Sequence, residues 1–209
     1  LKQVRHIILD LGGVILNIDH KKTEEAFKGL GISDFGQRYS QLQTTELFDR
    51  LETGHCTADA FVNELRALCG PEVSTDQIIA AWNAMLLDIP LRRLQILQQL
   101  QLHNDLFLLS NTNEIHEQAF NKLLQSVCGF NSLGVFFDKV YYSHRVGLRK
   151  PDAAIFKLIL DQNGLDAAKT LFVDDSPQHI ATANSLGIQT ILLEPGMTIE
   201  DNIFLPKER

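Results

Sequence analysis

Asp10, Ser110, Asn111, Lys150 and the pair Asp174-Asp175 each stand at, or shortly after, the end of a short apolar run. Three carboxylates gathered in one volume would repel and drive one pKa upward. A hard divalent cation removes that difficulty. Magnesium suits it, taking oxygen ligands while keeping positions for water or phosphate. The Lys150 ammonium and the Ser110 hydroxyl would hold phosphate oxygens, helped by backbone N–H groups near Asn111 and near Gly12, where glycine permits close approach. A carboxylate nucleophile, a metal and a lysine together meet the needs of phosphoryl transfer: an in-line attacker and neutralised equatorial charge.

For residues so far apart in sequence to meet, the chain between them has to return repeatedly to one edge. Runs at 4–9, 106–109, 140–142, 171–173 and 188–193 read as buried strands bounded by Gly, Asp, Asn or Ser. Between them, 115–127, 153–163 and 178–186 carry apolar residues at spacings of three and four, the helical period. Pro177 after Ser176 marks a helix start, and Gly164 and Gly187 mark stops. This alternation predicts an α/β fold, a parallel sheet with helices on both faces and ligands beyond the carboxyl ends of its strands. Residues 17–88 break the alternation with helical patterns only, at 24–30, 41–51, 58–69 and 76–87. They predict an all-helical insert, with 1–16 and 89–209 forming the core and Pro90 marking the return to it.

The 209 residues suit one core domain with a small insert, and 44% are hydrophobic, an ordinary content for a packed core. Lys and Arg number 19 against 26 Asp and Glu, so 19 − 26 = −7, a balance that argues against nonspecific nucleic-acid binding. Cys56, Cys69 and Cys128 are odd in number and show no C-x-x-C spacing, against both a disulfide framework and a structural zinc site. No apolar run approaches the roughly 20 residues of a membrane span. The chain moves directly into a core-like strand without a secretory pattern, so a cytoplasmic setting is expected. No obligate protein partner is evident.

Residues 8–14 (Ile-Leu-Asp-Leu-Gly-Gly-Val), 108–111 (Leu-Leu-Ser-Asn), 149–152 (Arg-Lys-Pro-Asp) and 172–176 (Phe-Val-Asp-Asp-Ser) resemble, in order, the four signature motifs of the haloacid dehalogenase superfamily. The resemblance implies a Rossmann-like three-layer α/β/α core with a helical cap over the site. It implies that Asp10 attacks phosphorus to form an aspartyl-phosphate. It also implies magnesium held by the Asp10 carboxylate, the Gly12 carbonyl, Asp174 and Asp175, with Asp175 the more direct ligand of the pair. Ser110, Asn111 and Lys150 would bind the transferred phosphoryl group of a small phosphorylated metabolite, and Lys150 would also steady Asp10.

One departure matters. Phosphatases of this superfamily usually carry a second Asp two residues after the nucleophile, as general acid and base, and here that place is Gly12. The loss would cost about 10²–10⁴-fold in rate if nothing replaced it. The stretch from Asp10 to Asp19 is similar to a bacterial subgroup of the glucose-1-phosphate phosphatase type, whose anomeric leaving group needs the acid less. Asp19 is a minor candidate for the missing acid, and Glu52, Thr53, Gly54 and His55 are candidates to face the substrate. Trp82 reads as helix packing, and His6, His116, His144 and His179 as surface or hydrogen-bonded residues. Ser110 doubles as a candidate cap for the helix near Ile115. Two alternatives remain: a phosphate-binding protein without turnover, which Gly12 motivates, and a carbon-attacking dehalogenase. The dehalogenase would need no magnesium, so Asp174 and Asp175 weigh against it. Length, the helical insert and the late position of the acid pair disfavour a receiver domain.

Overall fold

The computed structural model describes residues 4–32, 35 and 46–204. Five parallel strands, β1 (His6–Leu9), β2 (Asp105–Ser110), β3 (Lys139–Tyr142), β4 (Thr170–Asp174) and β5 (Gln189–Leu192), lie in the order β3-β2-β1-β4-β5. The sheet grows from the central β1, first to one side and then to the other. That reversal opens a crevice at the carboxyl end of β1, between β2 and β4.

Strand periodicity divides the core in two. Ile7, Leu9, Leu106, Leu108, Leu171 and Val173 pack on one face. Ile8, Phe107, Leu109, Tyr141 and Phe172 pack on the other. Both sets are covered by helices, which is why the strands read as continuous apolar runs rather than alternating ones. Register carries this directly to the site: Leu9 pairs with both Leu108 and Val173, so the residues after β1, β2 and β4 emerge side by side.

Four described helices fall between β1 and the second strand's own leading helix. They are α1 (His20–Gly29), α2 (Leu47–Glu52), α3 (Ala58–Cys69) and α4 (Thr75–Asn83). They share a separate apolar cluster, rich in aromatics, in which Trp82 stacks on Phe48 at 5.4 Å and meets Phe61 edge-on at 4.8 Å. Trp82 also stacks on His116 of α6 (Glu114–Cys128) at 5.1 Å, and Ile115 belongs to the same cluster, tying this layer to the sheet domain. The chain crosses between the layers twice, and the crossings pair: Asn17 N–H donates to Asp88, Leu87 N–H to Asn17, and Asp19 N–H to Met85.

The predicted helix at 24–30 begins earlier, at His20, because the Asp19 carboxylate caps it by accepting the Lys21 N–H. The one predicted at 76–87 stops at Asn83, since residues 85–88 are drawn into the paired crossing. Of the pattern at 41–51, residues 41–45 lie outside the described residues, and helix forms only from Leu47, running to Glu52. The helix α5 (Leu91–Gln101), α7 (Ser143–Val146), α8 (Ala153–Asn163) and α9 (Pro177–Ser185) complete the fold. Among the described residues, no helix is long and apolar enough to cross a membrane.

Candidate active site

Lys150 organises the crevice. Its side chain has no solvent exposure, yet its ammonium is fully partnered: 2.8 Å from Asp10 Oδ1, 2.7 Å from Asp174 Oδ2, and donating to the Leu109 carbonyl at 3.1 Å. Burial alone would lower its pKa, but the two carboxylates more than reverse this and hold it charged. Asn111 fixes the backbone around it, its amide donating to the Lys150 carbonyl at 2.8 Å and its Oδ1 accepting the Lys150 N–H at 2.9 Å. The Asn111 side chain is therefore committed to positioning Lys150, which leaves only its backbone to face a ligand.

Asp174 is committed as well. It accepts the Ser176 N–H at 2.7 Å, and His179 Nδ1 lies 3.0 Å from both its oxygens. Burial pushes its pKa up, but Lys150 and His179 outweigh that and hold it below the usual carboxylate range. Asp10 goes the other way. Burial raises it to about 6, Lys150 opposes, and Asp174 adds to the rise. Asp175 is exposed and is also raised, by partial burial and by Asp174.

Oxygens of Asp10, Asp174 and Asp175 all lie within 4.8 Å of one another. Three carboxylates against one ammonium leave 1 − 3 = −2 at this point. That is the charge a divalent cation neutralises, and the oxygen-only donor set is the kind magnesium takes. The donor set thus fits such an ion, with Asp10 and the uncommitted Asp175 better placed to bind it than Asp174. Gly13 keeps Asp175 close: at φ +72° its backbone suits glycine, and a Cβ there would lie 2.2 Å from Asp175 Oδ2.

A cavity of about 320 Å³ opens above these groups, lined by Asp10, Gly12, Ser110, Lys150 and Asp175 together with residues of the helical layer. Of the segment 52–55, only Glu52 lines it. Gly54 instead packs so tightly on α7 that a Cβ would meet the His144 carbonyl at 2.3 Å. Ser110 is buried on the cavity wall and caps nothing, because Asn113 takes the cap of α6 by accepting the His116 N–H. Asp19, used as the α1 cap, is not among the lining residues. His6 pairs with Asp105 and His144 with Glu117, away from the cavity. His116 lines the cavity but is occupied by the Trp82 carbonyl, and burial lowers it to about 4, so it stays neutral. His179 was readable only as a scattered histidine. Its role shows once α9 begins at Pro177 and brings it round onto Asp174.

An early Asp and a Ser at neighbouring strand ends, a buried Lys in the connection after β3, and a late acid pair, all at the crevice of one parallel sheet, fit a hydrolase centre. The chain belongs to the haloacid dehalogenase-like hydrolase family, whose model matches residues 4–187. It is similar to the D-ribitol-5-phosphate phosphatase of Bacteroides thetaiotaomicron, 33% identical over 199 residues that span 92% of this chain and 93% of that one. Its fold matches a haloacid dehalogenase family enzyme of that organism solved as a magnesium complex, with a TM-score of 0.88 at 33% identity over 99% of this chain and 100% of the other. The same enzyme solved with magnesium and inorganic phosphate matches with a TM-score of 0.85 at 34% identity, over 92% and 96% of the two chains. The comparisons give the family without singling out a glucose-1-phosphate subgroup.

Proposed function

We propose that this chain is a magnesium-dependent phosphatase that hydrolyses small phosphate monoesters, sugar or polyol phosphates among them, through an aspartyl-phosphate on Asp10. The observation that carries this reading is the pairing of Asp10 with the buried Lys150 at 2.8 Å, beside Asp175, on the wall of the cavity. Lys150 holds one Asp10 oxygen and leaves the other to attack phosphorus. Ser110 and the backbone N–H of Asn111 hold phosphoryl oxygens. The Asp10 and Asp175 carboxylates and the Gly12 carbonyl would hold magnesium, which supplies positive charge against the transferring group. Residues 17–88 act as a cap that excludes bulk water and admits small substrates. The relatives named above, one a polyol-phosphate phosphatase and one solved with magnesium and phosphate, support the same reading.

The test is phosphate release from a panel of esters, including D-ribitol 5-phosphate and glucose 1-phosphate, with magnesium and with EDTA. Release is expected to fall by about 100-fold or more in EDTA and to return with magnesium. Metal-independent release would refute the reading, as would chloride release from a 2-haloacid without metal. Magnesium-dependent phosphate binding with no turnover of any ester would assign a binding protein instead. Preference for the anomeric ester would support the glucose-1-phosphate subgroup, and preference for alkyl phosphates would count against it.

Gly13→Ala is a second check. The added methyl would displace Asp175 and strain the backbone, so the magnesium concentration for half-maximal activity should rise about tenfold or more. Part of the lost rate should return at saturating metal. A magnesium titration that leaves the midpoint unchanged would show that Asp175 does not serve the metal.

A further inference from the structure

An alkoxide leaving from phosphorus needs a proton, and the position that would ordinarily supply it is Gly12. A Cβ there would meet Ile18 Cδ1 tightly, at 3.1 Å. Resting on the phosphatase reading above, we propose that Glu52, brought to the cavity by the last turn of α2, is the proton donor to the leaving oxygen and then the base for the hydrolytic water. It lines the same cavity as Asp10 and Lys150.

Its placement is fixed from two sides. Gly54 docks against the His144 carbonyl, and Arg149, next to Lys150 in the chain, pairs with both Asp49 and Glu52. One guanidinium between two carboxylates cannot neutralise both. Asp49 is 57% exposed and solvated, whereas Glu52 Oε2 is wholly buried and makes no hydrogen bond, although Arg149 Nη2 stands 3.1 Å away. Of the two carboxyls, Glu52 is therefore the one that more readily keeps a proton. Burial pushes it up to about 7, with Lys150 opposing, so both protonation states are accessible near neutrality.

As Asp10 bonds to phosphorus and the P–O bond to the alcohol breaks, the Glu52 proton passes to the departing oxygen, giving ROH, the acyl phosphate and a Glu52 carboxylate. Water then attacks from the side the alcohol left. It gives its proton to Glu52 and its hydroxide to phosphorus, which restores Asp10 and releases hydrogen phosphate.

The experiment compares an alkyl phosphate, whose leaving group needs a proton, with p-nitrophenyl phosphate, whose leaving group does not. Glu52→Gln should lower kcat/KM for the alkyl ester by about 10²–10³-fold and for the nitrophenyl ester by about threefold or less. It should also abolish the fall in alkyl-ester rate above pH about 7 that is expected of the wild type. Asp49→Asn, which leaves Arg149 to Glu52 alone without removing the donor, should move the fall in alkyl-ester rate to lower pH while changing the nitrophenyl-ester rate by about threefold or less. Equal losses on both esters for Glu52→Gln would overturn the proposal by reducing Glu52 to a clasp, and so would a leaving-group-dependent loss in its place in His20→Asn, at the histidine of α1 that also lines the cavity. Retained, magnesium-dependent activity on p-nitrophenyl phosphate in Glu52→Gln keeps the phosphatase reading intact in either case.

Discussion

Asp10→Asn is expected to abolish turnover while leaving the protein as stable as the wild type or more so. Asparagine fills the same volume and still offers Oδ1 to Lys150, so the packing and the 2.8 Å contact can persist. It has no carboxylate oxygen to attack phosphorus, and losing a nucleophile of this kind costs about 10⁵-fold or more. Stability responds in the opposite direction because the folded state disfavours the charge. Burial raises the Asp10 carboxyl from its ordinary range, near 3.8, to about 6. A folded pKa above the unfolded one means that stability is full below the unfolded value and is lost as pH rises through the folded one. At pH 8 without metal the wild type therefore carries a penalty on the order of 1–3 kcal/mol that the amide lacks. Thermal melts in EDTA should show the variant higher by several degrees at pH 8, with the gap closing below pH about 4. No labelled aspartyl-phosphate should form. Retained turnover in the variant would remove Asp10 from the role of nucleophile, and a lower melting point at pH 8 would show that the buried charge is not a burden.

The features legible in the sequence are those fixed by local pattern. Apolar runs ending at Leu9, Leu109 and Val173 became neighbouring strands, and the polar residue after each appeared at a common edge because parallel pairing in register leaves no other place for it. What escaped was set by tertiary contact. Ser110 and Asn113 are equally good caps by type, and only the backbone path decides that Asn113 takes the duty. Asp19 has the chemistry of an acid and spends it on a helix terminus. Asn111 reads as a ligand-facing amide, but both its polar atoms bind the Lys150 backbone, 39 residues away. Asp174 and Asp175 look alike in sequence, and they part company because Lys150 and His179 reach only the first. Glu52 could be named only as one of four adjacent residues, since nothing local announces that its carboxylate will be buried beside an arginine shared with Asp49.

Lys150→Met should be among the most damaging single changes to the fold and should also stop the chemistry. Methionine matches much of the aliphatic stem, so the loss is chiefly one of charge and hydrogen bonds, including the contact of the ammonium with the Phe172 ring, 5.5 Å from its centroid. Removing the ammonium leaves Asp10 and Asp174 facing each other in a buried site and the Leu109 carbonyl without its donor. Breaking a buried ion pair from one side costs about 3–5 kcal/mol, and in a chain of this length each kcal/mol lowers the melting point by about 2–4 °C. In the wild type, Asp174 has a depressed pKa, so its stabilisation is present above the unfolded value and fades as pH falls through the folded one. In the variant that sign reverses, since both acids now gain by protonation, and the deficit should shrink as pH falls. The double variant Lys150→Met with Asp174→Asn should recover much of the stability and none of the activity, because one orphaned charge is gone while the partner of Asp10 is still missing. A cycle built from both single variants and the double should therefore show strong coupling. Additive losses would mean that Lys150 and Asp174 act independently, and the account of a lysine held charged by two opposed carboxylates would fail with them.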